Sequence, residues 1–293
     1  MPETETKSTQ AEGQAAEIAA PMFADVLCAI DGKEGGFSSV EHAATLTGRQ
    51  GHLTFLAVTS YRSSGKYRGP AIGPAQAAEI LGRAEGIARE AGVPYTSEVD
   101  PRSPPARVIL DWSERYDLLA LGAPANSWPA RLLSVGVGDT ALGGFSNALL
   151  LSRPLAPDRR FGDRIVVASD GFEGSQTLVE LAATLGRPHG SKVTLVHAHA
   201  RESRVKRGTA SEQERAVGDQ ERRLESISAS GTADLVVKHG RAAKVIVAAA
   251  RERDASLVVM GSRRLDGLRA LGSVSRRVAH QAHCSVLLVP PVG

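Results

Sequence analysis

The chain lacks the features that announce several common functions. Only two cysteines, Cys28 and Cys284, occur in 293 residues, far apart and each beside an apolar run. They cannot build a disulfide framework and read as buried free thiols, so the expected localisation is cytoplasmic. Aromatic residues are only 4% of the chain, which argues against base-stacking platforms and hence against a nucleic-acid partner. No apolar run reaches the roughly 20 residues needed to span a bilayer, so membrane insertion is not expected. The first 21 residues are rich in Glu, Thr, Gln and Ala, with neither a basic start nor an apolar centre. They read as a disordered tail rather than a signal peptide. No G-x-x-x-x-G-K-[ST] loop is present anywhere, which argues against a P-loop ATPase.

What remains is the composition of an ordinary globular protein, with 42% hydrophobic and 23% charged residues and a length that suggests about two domains. The net charge of +3 is unevenly divided. Residues 1–158 carry 13 Lys and Arg against 18 Asp and Glu, a net of −5; residues 159–293 carry 22 against 14, a net of +8. The basic half suits an anionic ligand, although a solvated basic face produces the same bias.

The two halves repeat one plan. The run Val26–Gly32 matches Ile165–Gly171, each an apolar strand ending in Asp-Gly; Glu41–Leu46 matches Glu180–Leu185 at helical spacing; Leu53–Val58 matches Val193–Ala198. Tyr116–Gly122 parallels Ala255–Gly261, and the last strands lie at Leu149–Leu151 and Val286–Val289. A proline-containing charged segment, Ser152–Arg160, joins them. The expected organisation is a tail at 1–21, a first domain at 22–152, a linker at 153–162 and a second domain at 163–293. Each half reads as five strands alternating with four helices. Near-continuous Val/Ile/Leu strands imply a parallel sheet covered on both faces, hence an α/β doubly wound, Rossmann-like fold. Ligands of such sheets bind at the carboxyl ends of the strands, at the switch point between strands 1 and 4. Asp170 and Gly261 would flank that crevice in the second half.

The stretch Leu257–Ser275 carries the chemistry. An apolar strand runs into Gly261 and Ser262, a short loop holds three arginines and Gly267, and Gly272 and Ser273 open a helix. A glycine loop entering a helix N-terminus presents unpaired N–H groups and the positive end of the helix dipole, which suit a phosphate.

These residues resemble the universal stress protein family, over nearly all of residues 24–290 as two tandem copies. The resemblance implies a strand order of 3-2-1-4-5 in each of two tandem five-stranded sheets. It also implies a family phosphate motif, G-x-x-G, nine residues, then G-[S/T]. On the matching positions it implies an adenine nucleotide (ATP, ADP or AMP, with Mg²⁺ accompanying the phosphates) in the second half. Ala168, Ser169 and Asp170 would lie at the adenine side with Ala198 against the base. Gly261, Ser262, Arg263, Arg264, Gly272, Ser273, Val274 and Ser275 would lie along the phosphates. Two departures stand out: Arg264 replaces the second glycine, and seven residues rather than nine precede Gly272. Arg264 either adds a phosphate contact or fills the nucleotide's space. In the first half Asp139 replaces the Ser or Thr after Gly138, and a carboxylate there repels phosphate, so this half is expected not to bind. The resemblance also implies the dimerisation through the last strand that is usual among family members of this type. A tandem chain can satisfy that contact internally as a pseudo-dimer, and can also form a homodimer.

Other motifs read as ordinary structure. Gly136–Ala141 has the G-x-G-x-x-A form of a dinucleotide fingerprint but precedes a last helix rather than following a first strand. Asp170-Gly171, repeated at Asp31-Gly32, is also plain turn chemistry. His197 with His199, and His280 with His283, are half a metal site at most. Four basic residues in Arg201–Arg207 read as a solvated loop, with a flap over a triphosphate as the other reading. Arg276 and Arg277 fall in the first turn of the last helix, where a bound anion would offset their conflict with the dipole. No serine has an evident base, so no catalytic residue is assigned, and any ATP hydrolysis should be slow. The competing function is a scaffold module of the same fold, with its pocket closed.

Overall fold

A computed structural model describes residues 22–59, 72–102, 105–123, 147–171, 174–199, 210–261 and 273–290. The tail at 1–21, the Gly136–Ala141 motif with Asp139, the Arg201–Arg207 run, and Ser262, Arg263, Arg264 and Gly272 lie outside the described residues. The first half contains β1 (Asp25–Ala29), α1 (Glu34–Thr47), β2 (His52–Val58), α2 (Pro74–Ala91), β3 (Tyr95–Asp100), α3 (Pro105–Ser113), β4 (Leu118–Gly122) and β5 (Ala148–Ser152). The second contains β6 (Arg164–Ser169), α4 (Gly174–Gly186), β7 (Lys192–His199), α5 (Ala210–Ala229), β8 (Asp234–His239), α6 (Ala242–Glu252), β9 (Leu257–Gly261), α7 (Ser273–Gln281) and β10 (Ser285–Val289). The fourth helix expected in the first half would fall in 124–146, outside the described residues.

The local signals explain the elements. α2 opens on Pro74, whose missing N–H has no helical partner in any case. It ends at Gly92 in the left-handed region, φ 68°, whose N–H returns to the carbonyls of Ala88 and Arg89. β5 and β10 are buried at every position, as strands covered on both faces must be.

The strand order is β3-β2-β1-β4-β5-β10-β9-β6-β7-β8. Each half therefore has the order 3-2-1-4-5. Within each half the strands are parallel. The two five-stranded sheets do not stand apart. β5 and β10 pair antiparallel, with Leu151 opposite Val286, Leu150 opposite Leu287 and Leu149 opposite Leu288. The physical reason is the edge each would otherwise expose, a flat apolar strand with a row of unpaired backbone groups. Pairing them removes both edges and yields one ten-stranded sheet.

The joining segment is also more than a charged linker. Arg153 is 3% exposed and Phe161 6%. Phe161 stacks on His42 of α1, ring centroids 4.2 Å apart. The α1, α2, α4 and α5 face of the sheet forms one apolar cluster drawn from both halves, and the α3, α6 and α7 face forms another. No helix among the described residues is long and apolar enough to cross a membrane.

Candidate functional site

The second-half crevice follows from parallel pairing. β6 and β9 lie side by side, Val167 opposite Val259 and Ala168 opposite Met260. The residues that leave their carboxyl ends, Asp170 and Gly261, flank one opening, and both are exposed. Ala168 is buried on the α6–α7 face, where Ala198 and Val274 pack against the same cluster. Ser275 is buried in the first turn of α7. Ser273 begins that helix. The fold thus sets the carboxyl ends of β6 and β9 side by side; the segment that joins β9 to α7, 262–272, lies outside the described residues.

Ser169 serves the turn. Its Oγ accepts the Gly171 N–H at 2.9 Å and makes a short hydrogen bond with Ser175 Oγ. Its carbonyl accepts the His197 Nδ1–H at 3.0 Å. The side chain therefore braces the β6–α4 connection from the α4–α5 face, opposite Ala168.

The repeat supplies an internal control for space. In the first half, the opening of α1 rests directly on the end of β4. A Cβ on Gly122 would collide with the Gly35 carbonyl carbon and the Gly36 nitrogen, and one on Gly35 would sit 2.9 Å from the Ala123 carbonyl oxygen. Backbone touches backbone, which only glycine allows. In the second half, a Cβ on Gly261 would meet only Leu178 Cδ1, at 3.8 Å, and one on Gly174 would meet nothing within 4 Å among the described residues. Among the described residues, the first half leaves no space between the end of β4 and the opening of α1, and the second half leaves more beside Gly261 and Gly174.

The loops above differ in the same sense. Asp31 accepts the Lys33 N–H at 3.2 Å and pairs with its ammonium. Ile80 of α2 covers Gly32, and Arg83 lies 3.7 Å over the Phe37 ring. In the second half the matching α5 positions are polar: Gln220 covers Gly171, and Arg223 Nη1–H donates to its carbonyl at 3.2 Å.

The β7–β8 register places His199 beside His239, which sequence spacing could not reveal. Their rings stack at 5.3 Å, His197 meets His199 edge-on at 4.9 Å, and His199 Nε2 lies 3.1 Å from Glu221 Oε1. No three His, Cys, Asp or Glu residues among those described are arranged to hold a metal ion. His280 and His283 are both pushed below the ordinary histidine range, chiefly by burial and then by nearby arginines. Burial lifts the Cys284 thiol to about 12 and raises that of Cys28 further, so neither is a nucleophile at neutral pH.

The model of the universal stress protein family matches residues 22–152 and 162–290. The chain belongs to the universal stress protein family. A curated universal stress protein of Thermus aquaticus, encoded in the QAH/OAS sulfhydrylase 3′ region, is 32% identical over 139 residues, 43% of this chain and 96% of that one. A universal stress protein structure from Archaeoglobus fulgidus covers 91% of this chain and 96% of its own, with TM-score 0.60 and 21% identity. A putative universal stress protein from Pseudomonas aeruginosa covers 92% and 94%, with TM-score 0.65 and 17% identity. These likenesses show the fold over both repeats of this universal stress protein.

Proposed function

We propose that this universal stress protein binds an adenine nucleotide in its second half and that its first half is the inert partner of an intramolecular pseudo-dimer. The observation that supports this reading is a difference between the repeats among the described residues: Gly122 packs against the backbone of Gly35 and Gly36, while a Cβ on Gly261 would meet only Leu178 Cδ1 at 3.8 Å and one on Gly174 nothing within 4 Å. In the second half the adenine would lie near Ala168, Asp170 and Ala198. The phosphates would meet the N–H groups around Gly261, Ser262, Gly272, Ser273, Val274 and Ser275, with Arg263 and Arg264 adding charge and Mg²⁺ accompanying them. Two buried reduced thiols suit a reducing compartment such as the cytoplasm. Binding is the function, and any hydrolysis is slow because no general base is placed for in-line attack among the described residues.

The test is thermal stabilisation of the full chain by ATP with Mg²⁺, beside a Gly272→Asp variant. At 100 times its Kd the ligand adds about 2.7 kcal/mol. The variant should lose this shift, because a carboxylate at the loop repels phosphate. No shift in the native protein with ATP, ADP or AMP would sink the proposal and favour the scaffold reading. An equal shift in the variant would move the site elsewhere.

A further inference from the structure

α7 carries the phosphate-side residues Ser273, Val274 and Ser275, and on its own it is a poor helix. It has nine residues, no acidic residue in its first turn, and exposed Arg276 and Arg277 near its start, where the dipole disfavours cations. Helices this short do not hold in isolation.

Its last turn is gripped from the other repeat. Arg153, which follows β5, lies across the seam from Cys284. Its Nη1–H donates to the Cys284 carbonyl at 2.9 Å and its Nη2–H to the Ala279 carbonyl at 2.6 Å. Its backbone N–H donates to Ser285 Oγ at 3.0 Å. One residue thus ties the end of α7 to the start of β10. It also places a positive charge at the helix C-terminus, where the dipole favours it. His280, whose proton affinity is lowered by burial and by Arg276 and Arg153, does not supply that charge.

A stabilising role alone does not explain Arg153. The guanidinium is buried, it forms no salt bridge among the described residues, and its Nε makes no hydrogen bond there. Apolar side chains of similar volume often serve stability as well as a buried charge does. What the guanidinium adds is a rigid fork of donors that sets an angle. The matching position after β10 is Pro290, which has no donor, so the grip runs one way.

Resting on the nucleotide reading above, we infer that Arg153 is a positioning residue for the second-half crevice: the first repeat, through this side chain, orients α7 and thereby the amides at Ser273–Ser275. The first repeat then has a task toward the second.

The experiment compares full-length native protein with Arg153→Met and Arg153→Lys. Met keeps apolar packing; Lys keeps the charge but reaches one carbonyl at a time. Amide exchange along α7, the Kd for ATP with Mg²⁺ and the melting temperature are measured. In R153M the α7 amides exchange faster and ATP binds about tenfold more weakly, while the melting temperature stays close to native. R153K falls between and carries the comparison if R153M does not fold. Equal α7 exchange and equal Kd in native protein and variants overturn the inference. So does a loss of protection spread evenly over the second half and tracking the melting temperature, because Arg153 would then act through stability alone. If the native protein binds no nucleotide, the nucleotide reading fails, and α7 exchange still decides whether Arg153 holds the helix.

Discussion

Acid should loosen this protein at the seam between its repeats, and His42 is the reason. The imidazole is 3% exposed, stacked on Phe161, with Nδ1 3.2 Å from Ser285 Oγ. Burial drives its pKa from 6.5 down to about 3. The unfolded chain takes up that proton near pH 6.5, whereas the folded chain resists until about pH 3. Between those values the unfolded state binds more protons, so stability is full above pH 6.5 and falls as the pH drops through the window. At about 1.4 kcal/mol per pH unit, the loss reaches about 2 kcal/mol at pH 5 and about 5 kcal/mol by pH 3. That is a large share of the net 5–15 kcal/mol typical of a folded domain. The repeat supplies the control substitution, because Leu181 occupies the matching position in α4. His42→Leu should cost about 1 kcal/mol at pH 7.5, for one lost hydrogen bond. It should also flatten the pH dependence by about one proton. The assay is urea unfolding from pH 7.5 to 4.5 on both proteins. His280 and His283 shift in the same direction but are present in both, so the difference isolates His42. Parallel curves for native and His42→Leu would refute the reasoning.

Two further predictions test the site and its surroundings. Gly122→Ala forces a Cβ into the backbone of Gly35 and Gly36 and should destabilise by about 2–3 kcal/mol. Gly174→Ala, with nothing within 4 Å of the new Cβ among the described residues, should leave denaturant stability within about 1 kcal/mol; equal costs would mean that the two repeats do not differ here. Asp100 is held down to about 2, first by the Arg102 side chain and then by the Arg102 backbone N–H and Trp112 Nε1–H. Its contribution to stability is present above the ordinary carboxylate pKa and lost as the pH falls toward 2. Arg102→Leu should move this titration up toward the ordinary carboxylate range, read as a pH-dependent change in Trp112 emission; an unmoved transition would show that Arg102 does not set it.

Much of the fold was legible because its signals are local. Val26–Gly32 and Ile165–Gly171 show strand and turn by composition, and their recurrence gives two copies of one order. Connection rules for parallel strands then place Asp170 beside Gly261 across 91 positions. The site was legible only in outline. The resemblance puts Ser169 at the adenine side, and only the structure shows that its hydroxyl also bonds the Gly171 N–H and Ser175 Oγ. The bareness of Gly35 and Gly36 matters because β4 ends against them, a contact with no signal in the local sequence. His239 joined His197 and His199 only through the β7–β8 register.

By itself, then, the sequence determined the repeat and the end of the sheet where a ligand belongs, because hydrophobic period and turn chemistry act over a few residues; the strand order was implied only by the family resemblance. Tertiary structure decided the rest. It joined two sheets through β5 and β10, set the backbone of Gly35 and Gly36 against Gly122, and buried Arg153 of the charged linker against the end of α7. Each of those outcomes depends on which backbone atoms from distant segments come within a few ångströms, and no local pattern encodes that distance.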